Sequence, residues 1–163
     1  MAGTDGIFDT LKQDHDKHRK LLGRMAETQG ASEEREKLLE DFTIEVKAHA
    51  AAEEQALYST MMRKPETTDE TRHSVAEHHE IDEMLNDLAA TDMSSSAWMT
   101  KFKELRHRYE HHIDEEEEEH FPDFEKHLTD ADLAHMRSVF QRRKAAEKQE
   151  QEVTPEKMED AKD

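Results

Sequence analysis

Six residues of this 163-residue chain pair metal-ligating chemistry with an inward helical phase: His15, His49, Glu53, His78, His112 and Glu116. The chain holds 12 histidines, so residue type alone selects none of them. Phase does the selecting. A helical residue advances about 100° per step, so positions three, four and seven apart share a face. His15 follows Leu11 by four and Phe8 by seven, and Leu22 lies seven beyond it. His49 follows Val46 by three and Phe42 by seven; Glu53 comes four later and Leu57 four after that. His78 follows Val75 by three, with Ile81 and Leu85 further along the stripe. His112 follows Tyr109 by three and Leu105 by seven, and Glu116 follows it by four.

A charged carboxylate on an apolar stripe is costly unless it is paired or bound to metal. Each His-x-x-x-Glu pair sets imidazole and carboxylate about one turn apart, roughly 6 Å at Cβ. One such histidine is more often a hydrogen-bonded core residue than a ligand. Six inward polar residues, drawn from four helices, point to a shared centre. Imidazole and carboxylate without thiolate suit non-haem iron or manganese, with zinc possible.

Other chemistries lack their residues. There is no cysteine, hence no thiol nucleophile, disulfide or thiolate cluster. No P-loop or glycine-rich fingerprint is present. The dipeptide His79-Glu80 is followed by Glu83 where a zinc protease needs histidine. A ferritin-like site needs inward Glu-x-x-His on two helices. The matches here, Glu104 with His107 and Glu117 with His120, lie on one helix and off its stripe.

His73, His79, His107, His111, His120, His127 and His135 fall off the stripes or beyond the core and are expected at the surface. His18 and His111 sit close enough to the inward faces that a small helix rotation would bring either in. The stretch HHIDEEEEEHFP carries a register competitor, His111 with Glu115, shifted by one from His112 with Glu116. Leu105, Tyr109 and the spacing to Pro122 favour His112. Glu115, Glu118 and Glu119 then form a solvated flank, and Glu117 stands behind the site as a partner for a ligand.

The elements that must position these residues are helices. Apolar spacing predicts a first helix at about residues 5–28. TQGAS breaks it, and Ser32 caps a second helix reaching about residue 63. RKPETTDE is the next break, with Thr67 and Glu70 as a capping box for the third helix. TDMSSS separates the third from the fourth, whose stripe is Trp98, Phe102, Leu105, Tyr109 and Ile113. Pro122 removes a backbone hydrogen bond and is expected to kink or end that helix. Thr129 and Asp132 make another capping box, opening a short extra helix through Leu133, Met136 and Phe140. The expectation is an all-α, up-down-up-down four-helix bundle with a short extra C-terminal helix. One domain spans about residues 1–145, and the apolar-poor stretch at about 146–163 is expected to be a disordered acidic tail.

Composition agrees: 33% of residues are hydrophobic and 39% charged, with four glycines and three prolines. The net charge of −18 repels phosphate backbones and anionic lipid, so neither nucleic acid nor membrane is an expected partner. No apolar run approaches the roughly 20 residues of a membrane span. MAGTDGIFDT lacks the basic and apolar regions of a signal peptide, so the cytoplasm is the expected location.

Taken together, LKQDHDKH at His15, HAAAEEQALY at His49 and Glu53, AEHHEID at Glu77 and His78, and HIDEEEEEHFP at His112, Glu116 and Pro122 resemble the haemerythrin-like family, in its HHE cation-binding branch. The resemblance runs from about Phe8 to Leu128. It implies a four-helix bundle enclosing two non-haem irons, bridged by carboxylates and an oxo or hydroxo group. Respiratory relatives carry His-x-x-x-His on the third helix; here Ser74 stands four before His78. That ligand is missing, and His18, Tyr58 or Glu117 is a candidate to take its place. An open iron position suits reaction with O2, peroxide or nitric oxide. The competing expectations are a non-catalytic module for O2 storage or iron sensing, and a metal-free helical interaction domain.

Overall fold

The computed structural model describes residues 6–151, and among them the regular structure is entirely helical. Helix α1 spans Ile7–Ala26. Gly30, at a φ of 61°, turns the chain in a left-handed conformation that favours glycine. Ser32 accepts from the Arg35 amide and opens α2, which runs Glu33–Glu53, passes through a π-helical turn at Glu54–Tyr58 and closes at Ser59–Met61. Helix α3 spans Thr68–Ala89. Helix α4 runs Ser96–Glu115, a π-helical turn at Glu116–His120, then Phe121–Glu125. Helix α5 spans Asp130–Gln151.

Helices α1 to α4 form a closed ring of neighbours, each packed on the next and α4 on α1. The apolar stripes meet inside. One cluster, around Leu22, Phe42, Leu85, Trp98 and Phe102, fills one end of the bundle. A second, around Phe8, Leu11, Leu57, Met61 and Phe121, fills the other. Arg35, buried at the first end, donates to Thr28 and to the Met93 carbonyl and lies 4.1 Å from the Trp98 ring centre. Among the described residues no helix is long and apolar enough to cross a membrane.

Three expectations need correction. Pro122 does not stop α4 at its own position: it follows a π-helical turn, sits in the first turn of the closing segment, and the helix ends three residues later at Glu125. Thr67 does not form a capping box; its hydroxyl donates to the Met61 carbonyl at 2.7 Å. The pair Thr129 and Asp132 does cap reciprocally, at 2.9 and 3.1 Å. Helix α5 continues past residue 145 to Gln151, and the rest of the expected tail lies outside the described residues. It packs on α1 and α2. Leu133, Met136 and Phe140 bury its first half, and Lys144 and Lys148 dock its second half onto Asp14 and Glu45.

Candidate metal centre

Between the two apolar clusters lies a polar layer. All six sequence-selected residues reach it, and a seventh, His18, joins them. His15, His18, Glu53 and Glu116 are fully buried, His49 and His112 nearly so, and the His78 side chain is 8% exposed. His111 is 63% exposed, so the register of α4 is that of His112.

The imidazoles divide into two groups. His15, His18 and His49, from α1 and α2, cluster with ring centres 5.1 Å (His15 to His49) and 5.2 Å (His18 to His49) apart. His78 and His112, from α3 and α4, pair at 5.0 Å. The carboxylates stand between the groups. Oε1 of Glu53 is 3.6 Å from His49 Nε2 and 3.2 Å from His78 Nε2. Oε1 of Glu116 is 3.6 Å from His15 Nε2 and 3.2 Å from His112 Nε2. Each glutamate therefore touches one histidine of each group. Ligating atoms of Glu53, His78, His112 and Glu116 all lie within 4.8 Å of one another, as do those of Asp14, His18 and His49.

Four of the five outward ring nitrogens are anchored; His78 Nδ1 is buried without a hydrogen bond. Nδ1 of His15 donates to Glu117 at 2.7 Å, that of His49 to Asp14 at 2.9 Å, and that of His112 to Glu77 at 2.9 Å. His18 Nδ1 is hydrogen-bonded to the Tyr109 hydroxyl at 2.7 Å. A carboxylate can only accept, so its partner imidazole carries a proton on Nδ1 and turns Nε2 inward. There Nε2 of His15, His18 and His49, both oxygens of Glu53 and one of Glu116 are buried without a hydrogen bond. Buried polar atoms are seldom left so. Their convergence fits a cation held among them.

The electrostatics agree. Burial pushes His49 down, but Asp14 and Glu53 outweigh it and raise it to about 9. Burial likewise opposes a charge on His112, yet Glu116, Glu77 and Glu53 raise it to about 10. Burial disfavours ionised Glu53, but His49 and His78 hold it well below the usual carboxylate range. The carboxylates that draw protons onto His49 and His112 also favour a metal cation in their place, while burial and the charge of His49 push His18 well below its ordinary value.

Tyr58 completes one side. Its hydroxyl donates to Glu116 Oε2 at 2.6 Å, and its ring lies 5.4 Å from that of His78. Burial, then the charges of Glu116 and Glu53, raise its ionisation well above the ordinary value, so it remains a donor. Ser74 does not reach the carboxylates; it is hydrogen-bonded to His120 Nδ1 at 3.0 Å. His120, expected at the surface, is 5% exposed. The π-helical turns explain both placements. Five-residue steps bring Tyr58 under Glu53 and carry His120 inward, which a 100° phase misses. Pro122, six residues beyond the inward Glu116, was the available signal for the second turn. A cleft of about 330 Å³ between α2 and α3, walled by Val46, Ala50, Ile81 and Leu85, reaches His49, His78 and Tyr109.

A four-helix bundle with paired imidazole and carboxylate layers is the architecture of haemerythrin-like cation-binding proteins. The family model described as "Hemerythrin HHE cation binding domain" matches residues 6–124, and the chain belongs to that family. It is 32% identical over 108 residues to an uncharacterized hemerythrin-like protein of Schizosaccharomyces pombe, covering 63% of this chain and 52% of the relative. The chain thus spans about half the length of that curated relative. It is similar in fold to the crystal structure of a hemerythrin HHE cation binding domain-containing protein from Mycobacterium kansasii, with a TM-score of 0.79 at 24% identity, covering 89% of this chain and 88% of that one.

Proposed function

We propose that this protein is a non-haem di-iron protein that binds or reacts with O2, peroxide or nitric oxide in a redox role. The observation that carries this reading is the division of five inward imidazoles into a three and a two, with a glutamate spanning the groups on either side. His15, His18 and His49 would hold one iron, His78 and His112 the other, and Glu53 and Glu116 both. His18 restores the imidazole count that the serine at position 74 removes. Iron in the two-histidine position would supply an open coordination site where a small ligand binds and charge is exchanged.

This chain's own residues do the rest. Asp14, Glu77 and Glu117 orient the imidazoles and fix their tautomers. Tyr58 holds Glu116 in place and keeps a proton beside the less crowded histidine pair. The two apolar clusters exclude water from above and below, and the cleft between α2 and α3 admits molecules of diatomic or peroxide size.

A non-catalytic module, storing O2 or sensing iron, is the second reading. It is favoured by Glu53, whose two oxygens are buried without a hydrogen bond, so that metal loading and folding are coupled. Iron content and an optical spectrum before and after O2 and peroxide test both. Stoichiometric iron is expected; its absence in protein from iron-rich culture defeats both readings. Oxygen evolution from peroxide, lost in His112→Ala, selects the reactive protein. A reversible O2-dependent colour change without turnover selects the carrier.

A further inference from the structure

Beside the buried centre, α3 and α4 bring a second set of imidazoles and carboxylates to the surface. His73 Nε2 lies 2.8 Å from Glu115 Oε1 and 3.4 Å from Glu77 Oε1. The ligating atoms of His73, Glu77 and Glu115 lie within 4.8 Å of one another. His120 faces them from below, its Nε2 3.6 Å from Glu115 Oε1, a separation too long for a hydrogen bond.

Two features set this group apart from an ordinary solvated charge cluster. His120 is 5% exposed, and its Nδ1 is taken by Ser74, which leaves Nε2 aimed at Glu115. Glu115 Oε1 is itself buried and accepts no hydrogen bond, its nearest cationic partner being His73 Nε2 in an ion pair at 2.8 Å. A buried carboxylate oxygen and the Nε2 of a buried imidazole thus face the same point, 3.6 Å apart. The half-exposed His73 opens that point to solvent.

We propose that His73, Glu77, Glu115 and His120 form an outer divalent-cation site that stages metal for the buried centre. Two imidazoles with two carboxylates suit Fe2+, Mn2+, Co2+ or Zn2+ rather than Mg2+ or Ca2+. Glu77 is the link: the same Oε1 that faces His73 accepts from His112 Nδ1 at 2.9 Å. A cation in the outer site is therefore one side chain from a residue of the core. An adjoining cleft lined by Glu70, Glu118, Glu119, His120 and Asp123 supplies the attraction. There burial, with Asp123 and Glu119 nearby, raises Glu70 to about 7, a sign of carboxylates crowded without enough positive charge. The five-glutamate run thereby acquires a role on both faces: Glu116 and Glu117 serve the core, Glu115 the outer site, and Glu118 and Glu119 its approach.

The outer site stands without iron in the core; its staging role rests on the di-iron reading. Titrating Co2+ into the full-length protein carrying its core metal, followed by visible absorption, reads the outer site directly. About one further equivalent is expected to bind, tenfold or more weaker in His73→Ala and in Glu115→Gln, and unchanged in His107→Ala. No additional binding, or equal binding by His73→Ala, overturns the site. Release of core iron from the same holoprotein to an external chelator reads the staging. His73→Ala is expected to slow release severalfold from an unchanged starting content, and an unchanged rate overturns that role. A wild-type protein without core iron defeats the di-iron reading instead, and the difference in Co2+ stoichiometry between wild type and His73→Ala then decides the outer site.

Discussion

The Tyr58 hydroxyl donates to Oε2 of Glu116 at 2.6 Å, joining the π-helical turn of α2 to that of α4 across the polar layer. Both groups are buried, so removing the donor strands a carboxylate oxygen away from water. Tyr58→Phe is expected to lower the stability of the metal-free protein by roughly 1–3 kcal/mol. Urea denaturation of the chelated protein measures it. A variant as stable as the parent would mean that Glu116 finds another partner.

Metal removal should expose a pH dependence that the loaded protein lacks. His49 is raised from 6.5 to about 9 and His112 to about 10, in each case by carboxylates that outweigh burial. A raised folded pKa stabilises fully below the unfolded value and is lost as pH rises through the folded value. Metal-free protein is therefore expected to lose stability between about pH 6.5 and about pH 10. On the di-iron reading a metal would take the place of those protons in the loaded protein, and its melting temperature should stay nearly level over the same window. Parallel thermal melts with and without a chelator check this.

Much of the bundle was legible because its core obeys one rule. Leu105, Tyr109 and Ile113 fix the phase of α4 closely enough to choose His112 over His111 within a run of charges. His15 and His18 sit three apart and straddle the stripe of α1, so phase alone could not say that both enter. His120, expected at the surface, was misplaced for a different reason. A π-helical turn adds a residue to the repeat and rephases everything after it. Helix α5 shows the third limit. Beyond Phe140 it is held by Lys144 and Lys148 on Asp14 and Glu45, contacts that leave no apolar period in the sequence.

Glu45 should govern part of the acid response. Burial pushes it up, but Lys148, Lys17 and Lys144 outweigh burial and hold it at about 2. A depressed folded pKa stabilises fully above the unfolded value of 4.5 and is lost as pH falls through about 2. Lys17 and Lys148 are partly exposed, which screens the effect to about 1 kcal/mol at neutral pH. Glu45→Gln is expected to lose that increment at neutral pH and to show a shallower stability decline below about pH 4.5. Urea midpoints across that range decide it; parallel curves for parent and variant would show that the lysines settle on other acceptors.

Asp14 ties helix α5 to the centre. Both of its oxygens take Lys144 Nζ at 2.8 Å, and Oδ2 also accepts from His49 Nδ1 at 2.9 Å. The lysine belongs to a helix that begins at Asp130, beyond the residues matched by the family model. Burial opposes the charge on Asp14, but His49 and Lys144 outweigh it and keep the carboxylate ionised. An ionised acceptor fixes His49 as the Nδ1 tautomer and makes its Nε2 a stronger donor to metal; an amide holds the ring less firmly and contributes no charge. Asp14→Asn is expected to weaken metal affinity about 10- to 100-fold. Lys144→Met leaves the Asp14–His49 contact in place and should weaken affinity less. Competition against a chelator of known affinity ranks the three proteins. If Lys144→Met loses as much as Asp14→Asn, α5 acts on the centre by positioning Asp14 and not merely by neutralising it.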